Sequence, residues 1–169
     1  MFSAYASRPR VQVPFTTGRI LLEALAAAAM IFIAVQLISA WPTLPDRVPT
    51  HFGLNGEPNQ WSSRNGVLIV PIAALLLWVS MTALTFVPHI HNFPTAVTPE
   101  NAPRLYAMSA GMLTLIKTEV LCMMAYALWS TVEVAMRRAQ EMNSALFLAF
   151  IGVILLTAIG STIRFFSIR

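Results

Sequence analysis

Charge is what this chain has least of. Asp, Glu, Lys and Arg make up 11% of its 169 residues, against about a quarter in a soluble domain. A water-soluble fold needs a charged outer shell, so the deficit excludes an ordinary soluble domain and points to a surface that faces lipid. Cysteine is almost missing as well. Cys122 stands alone inside an apolar run, which excludes an internal disulfide, a zinc-type Cys/His set and a haem-attachment motif. A single thiol in such a place serves as a small hydrophobe. No Ser-His-Asp set, Walker loop or HExxH motif is present, so neither an enzyme nor a cofactor is expected. The 11 Lys plus Arg exceed the 7 Asp plus Glu and give a formal net charge of +4. These basic residues are scattered beside apolar runs rather than gathered into a groove. Lipid headgroups and membrane topology account for them, and nucleic acid is not an expected partner.

What the chain does have is long hydrophobic runs. Hydrophobic residues reach 57%, and four stretches are long enough to cross a hydrocarbon core, which takes about 20 residues. The first is Gly18 to Ala40, with Ala24, Ala27 and Ala28 offering a small-residue face for a neighbouring helix and Pro42 ending it. It is too long for a signal-peptide core and reads as a retained helix. The second is Val67 to Val87, with Pro71 tolerated in its first turns. The third runs from about Pro99 to Arg138, with Thr98 as its cap. It is far longer than a bilayer requires, so part of it must leave the membrane, break or tilt. Lys117-Thr118-Glu119 divides it into two apolar halves. The fourth is Ala145 to Phe166, capped by Asn143 or Ser144, with Gly152, Gly160 and Ser161 permitting close contact. The expected fold is all-α: a four-helix transmembrane bundle with a structured loop between helices 1 and 2. In order, it comprises a polar segment 1–17, a two-helix membrane unit 18–88 with a motif loop 41–66, a connecting loop 89–103, and two further helices over 104–169, the first of them long.

Charged side chains inside spans are costly and need partners. Glu23 and Arg164 are an expected interhelix pair. Glu133 and Arg137 suit an i, i+4 pair. Lys117 and Glu119 lie about 200° apart around the helix, so they either reach one interface or find separate partners. Four spans put both termini on one side. That side carries Arg8, Arg10, Arg19, Arg104, Arg164 and Arg169, and the other carries Arg47, Arg64, Arg137 and Arg138. The positive-inside rule then favours cytoplasmic termini in a multi-pass protein of a bacterial inner membrane.

The longest polar stretch between the first and last spans is Trp41 to Arg64. Its prolines force extended backbone, and Asn55-Gly56 is a tight-turn signal, so a short hairpin with Thr50–Leu54 facing Glu57–Trp61 is expected. Trp41 and Trp61 suit the water–lipid boundary. Asp46, His51, Phe52, Glu57, Asn59, Trp61 and Arg64 are the candidate binding residues. Asp46, His51 and Glu57 have the chemistry for a cation or for acid–base work, but their spacing matches no ligand pattern. The competing reading is that Asp46 and His51 simply fix the loop's own turns. His89 and His91 alternate in a short loop on the opposite side and form only a weak chelating pair.

The run Leu44-Pro45-Asp46-Arg47-Val48-Pro49-Thr50-His51-Phe52-Gly53, continued by Asn55-Gly56-Glu57-Pro58-Asn59-Gln60-Trp61, resembles a bacterial membrane domain of unknown function. That domain also forms the N-terminal part of SdpI-type immunity proteins, which protect a producing cell from its own secreted toxic peptide. The resemblance covers about residues 18 to 88 and extends to Arg64 and Pro71. It implies that Pro45, Pro49, His51, Phe52, Gly56, Glu57, Pro58 and Trp61 matter. Asn59 stands where the family often has Asp. The expected function is a membrane binding or sensing protein, immunity-like, that recognises a peptide or envelope partner through the loop. An accessory subunit of a larger membrane complex and a small proton-coupled transporter built on Lys117 and Glu119 are the alternatives.

Overall fold

The computed structural model describes residues 8–166. Arg169 and the first seven residues, which belong to the expected polar segment, lie outside the described residues. Among the described residues, four helices are long and apolar enough to cross a membrane, as a multi-pass membrane protein requires. They are α1 (Thr17–Ala40), α2 (Ile69–Thr85), α3 (Ala102–Ala135) and α4 (Ser144–Phe166). A small antiparallel sheet joins the first two: β1 (Arg47–Phe52) and β2 (Pro58–Ser63). The chain is therefore mostly helical with one hairpin, not all-α.

The helix ends follow from local chemistry. Thr16 caps α1 by accepting from the Arg19 amide at 3.3 Å, which satisfies one of the donors that a helix start leaves open. Pro42 lies in a 3₁₀ turn, Trp41–Thr43, that closes the helix. Asn143 accepts from the Leu146 amide at 3.1 Å and starts α4. The start of α3 differs from expectation. Thr98 and Asn101 bind each other in a turn, with the Thr98 amide donating to Asn101 Oδ1 at 2.9 Å. The helix begins only at Ala102, with Pro103 in its first turn, where the missing N–H costs least.

α3 is the central element and packs on α1, α2 and α4. Its seam with α1 is set by Ala26, Ala29 and Ile33 against Leu121, Ala125 and Leu128. Arg19, Ala26, Ile33 and Ala40 repeat at seven residues on the buried face of α1, the spacing of a helix seam. Ala24 and Ala28 point outward instead. Glu23, which bonds Lys117, lies on the same side of α1 as Ala26 and Ile33. A Cβ at Gly152 or Gly160 would meet nothing within 4 Å, so neither position needs glycine for a close helix contact.

The length of α3 has a simple resolution. Lys117 bonds to Glu23 near the start of α1 and to Thr82 near the end of α2. At 1.5 Å per residue, α3 reaches about 14 Å further than α1 on the side of the termini. That overhang is covered: Leu105 and Tyr106 pack with Phe165, Val11, Val13, Phe93 and Val97, and the Tyr106 hydroxyl donates to the Pro9 carbonyl at 3.0 Å. The helix does not break at Lys117-Thr118-Glu119. Thr114 and Thr118 return their hydroxyls to the carbonyls of Ala110 and Thr114, at 2.9 and 2.8 Å, so they add no open polar group at membrane depth.

Candidate functional site

The hairpin lies at the end of the helices opposite the termini, and it is anchored on two sides. Leu44 and Val48 join the main apolar core with Leu128, Val132 and Ala135 of α3, and Pro49 is buried with them. The tip is held separately, where the Met142 amide, in the turn between α3 and α4, donates to the Gly56 carbonyl at 2.9 Å. Gly56 has φ of +87° and its Cα faces Met142 so closely that a Cβ would overlap the Met142 carbonyl. Only glycine fits both conditions.

The turn is wider than a two-residue Asn-Gly turn. It spans Gly53 to Glu57, closed by the Gly53 amide on the Glu57 carbonyl at 2.8 Å and the Gly56 amide on the Gly53 carbonyl at 2.9 Å. Asn55 Nδ2 donates to Glu57 Oε2 at 2.7 Å, and Asn55 Oδ1 accepts from the Glu57 amide at 3.2 Å. Asn55 and Glu57 therefore brace this turn.

The pairing register carries two compensating bulges. Pro49 opposes Trp61, His51 opposes Gln60 and Phe52 opposes Pro58, so Thr50 and Asn59 are the extra residues on their strands. Bulges re-aim side chains, and here they bring His51 and Asn59 together at 2.6 Å between Nδ1 and Oδ1. With the amide oxygen accepting, Nδ1 carries the proton and Nε2 is left as an acceptor on an exposed ring. Beside it, Asn59, Gln60 and Trp61 are exposed, Trp61 by 42%, and at the tip Leu54 is exposed by 86%.

The remaining candidates separate by role. Arg64 lies over the Trp41 ring at 5.0 Å, and its amide donates to the Asp46 carbonyl at 2.8 Å; both fasten the base of the hairpin. Phe52 is half-buried. Asp46, His51 and Glu57 are not brought together. Among the described residues, no three His, Cys, Asp or Glu side chains form a metal-sized group.

Inside the spans the pairing differs from expectation in two places. Glu23 pairs with Lys117, not with Arg164: Lys117 Nζ lies 2.7 Å from each Glu23 carboxylate oxygen and 2.9 Å from Thr82 Oγ1. Arg164 lies instead beside Met108, Met112 and Ser161. Glu133 pairs with Arg138 at 3.2 Å, because α3 has ended and Arg137 turns to a φ of +58°. Glu119 faces away from Lys117, toward α4, where it accepts from the Thr157 hydroxyl at 2.7 Å. Its second oxygen is buried without a partner. Thr82 and Thr157 were not legible as partners, since a lone threonine in an apolar run carries no signal of what faces it.

At the termini end, His91 accepts at Nδ1 from the Ser109 hydroxyl at 2.6 Å, and its Nε2–H donates to the Leu84 carbonyl at 3.1 Å. Burial pushes its pKa below the usual histidine value, the Leu84 carbonyl opposes that, and His89 adds to it. Bonded this way, His91 ties the connecting loop to α3.

Four membrane-length helices with a braced hairpin between the first two define the class as a multi-pass membrane protein with a small folded cap. Residues 26–75 match the family described as Domain of unknown function (DUF1648), from mid-α1 through the hairpin into α2. An uncharacterized protein of Archaeoglobus fulgidus is 34% identical over 107 residues, covering 57% of this chain and 51% of its own length. The chain thus spans about half the length of that relative. No solved structure matches this chain.

Proposed function

We propose that this chain is a binding or sensing protein of a bacterial inner membrane whose hairpin recognises a peptide or envelope partner outside the cytoplasm. In this reading the helices form a four-helix transmembrane bundle with cytoplasmic termini, and the role is of the immunity type. The observation that supports it is the division of labour within the hairpin. Val48, Pro49 and Gly56 are spent on anchoring it. His51, Gln60, Trp61 and Leu54 stand exposed on an element held too firmly to be a linker. A rigid exposed aromatic beside polar groups is the composition of binding hot spots.

The resemblance to the N-terminal part of SdpI-type immunity proteins supports the choice of a secreted peptide as ligand. The test is protection. Cells expressing the protein are challenged with candidate secreted peptides, and His51→Ala and Trp61→Ala are compared with wild type. Both variants are expected to insert normally and to lose protection by about tenfold in peptide dose. Full protection by both variants would remove the hairpin face as the recognition surface.

A second reading is supported by α4. No residue of its most apolar 18-residue window is buried, and a helix so open suits an accessory subunit that packs on another membrane protein. Co-purification of a stoichiometric membrane partner, lost on placing Trp at Gly152, would favour it.

A further inference from the structure

At the termini end, remote from the hairpin, a cavity of about 960 Å³ opens between residues 10–15, the start of α1 and the end of α2. Its apolar walls include Phe15, Phe86 and Pro88, and its basic lining is Arg10, Arg19 and His89. Arg19 decides what the cavity is for. The residue is only 6% exposed, although a guanidinium offers five donors and no acceptor. Its guanidinium carbon lies over the Phe15 ring, 4.3 Å from the ring centre, and its Nε is buried with no hydrogen-bond partner. The carboxylate nearest in sequence, Glu23, attracts Arg19 from one turn away but accepts its short hydrogen bonds from Lys117, at 2.7 Å.

Position sharpens the point. Arg19 stands in the first turn of α1, which contains no acidic residue. A helix start carries partial positive charge and open amides, which favour an anion and disfavour a cation. Placing an arginine there, buried and with one donor that Glu23 does not satisfy, leaves a cost that a bound anion would offset. Arginine pairs best with a planar or tetrahedral oxyanion through two parallel bonds.

We propose that this cavity binds a phosphate monoester or diester of net negative charge, with Arg19 as the principal ligand, Arg10 and His89 as further donors, and the Phe15–Phe86 wall taking the apolar part of the molecule. A zwitterionic headgroup, whose ammonium cancels the phosphate charge, is a poor fit for so basic a lining. The phosphate is supplied either by an anionic lipid headgroup or by a soluble phosphate. The apolar wall and the place of the cavity at the ends of two membrane-length helices both suit the lipid.

The test uses the full chain in a neutral maltoside detergent. Short-chain phosphatidylglycerol, the matching phosphatidylcholine and inorganic phosphate are titrated calorimetrically. Saturable binding of phosphatidylglycerol is expected, at least about tenfold tighter than phosphatidylcholine, and at least about tenfold weakened in Arg19→Gln. Binding of inorganic phosphate as tight as phosphatidylglycerol, lost in the same variant, also supports the site and names the soluble source. Equal binding of both lipids without inorganic phosphate, or wild-type affinity in Arg19→Gln, overturns it. Should Arg19→Gln fail to fold, exposed Arg10 supplies the second variant: Arg10→Gln is expected to weaken the anionic ligand about threefold, and an unchanged affinity overturns the proposal.

Discussion

Lys117 and Glu23 meet at 2.7 Å with the lysine side chain wholly enclosed and the glutamate about a quarter exposed. An ammonium group has three protons to donate, and three oxygens receive them: both oxygens of Glu23 and the hydroxyl of Thr82. The three residues come from α1, α2 and α3. The contact therefore fixes the rotation and depth of three helices at once.

Removing Glu23 leaves the enclosed ammonium without its carboxylate, whereas removing Lys117 leaves a carboxylate that is about a quarter exposed. Glu23→Leu is therefore expected to destabilise the protein by about 3–5 kcal/mol and Lys117→Met by less, while the double variant loses less than Glu23→Leu, because replacing a buried pair by apolar groups of similar size is close to neutral. Thr82→Val, which strands one ammonium proton, is expected to cost about 1–3 kcal/mol. Unfolding in detergent, run as a double-mutant cycle, measures all of these. Additive losses in the double variant would mean that the two residues do not act as a pair.

Gly56 tests the anchoring of the hairpin. Gly56→Ala must adopt a positive φ and must also displace Met142, so a loss well above about 1 kcal/mol is expected, together with faster proteolysis of the hairpin. Gly111→Ala is the control, since nothing lies within 4 Å of the added methyl and alanine favours the helix. Equal behaviour of the two variants would show that the tip is not held against the turn between α3 and α4.

The connecting loop is expected to loosen in acid. Burial lowers the pKa of His91 in the folded protein, so below its ordinary value near 6.5 the unfolded chain binds the extra proton first. The stability contributed by neutral His91 is therefore present above that value and is lost as pH falls through the lower folded-state pKa. Between pH 7.5 and 5 the thermal midpoint should drop, and the drop should shrink in His91→Gln. An identical pH profile in the variant would place the sensitivity elsewhere.

The four spans and the hairpin were legible because each rests on local chemistry: apolar runs of membrane length, Pro42 as a stop, Asn143 as a cap, and a glycine that must take positive φ. The partners of the charged residues were not. Glu23 chose Lys117 over Arg164 because α3 lies against α1, and adjacency of helices is not written in any one segment. The α1 seam likewise falls on Ala26 and Ile33 rather than Ala24 and Ala28. Within the site, the prolines and Gly56 announced a shaped loop, whereas the two bulges that join His51 to Asn59 depend on how the hairpin settles on α3. Arg19 was readable only as a topology charge; its surroundings combine residues 10–15 with residues 85–89, a segment distant in sequence.

The central claim, that the hairpin presents its exposed face outside the cytoplasm, is tested most directly by thiol labelling in intact cells. Single cysteines are placed at Leu54, on the hairpin, and at Ala96, in the connecting loop, in a Cys122→Ser background; both positions are exposed. A membrane-impermeant maleimide is predicted to label position 54 and to leave position 96 unlabelled until the cells are opened. Labelling of position 96 alone would contradict the account: the hairpin would then face the cytoplasm, beyond the reach of a secreted peptide.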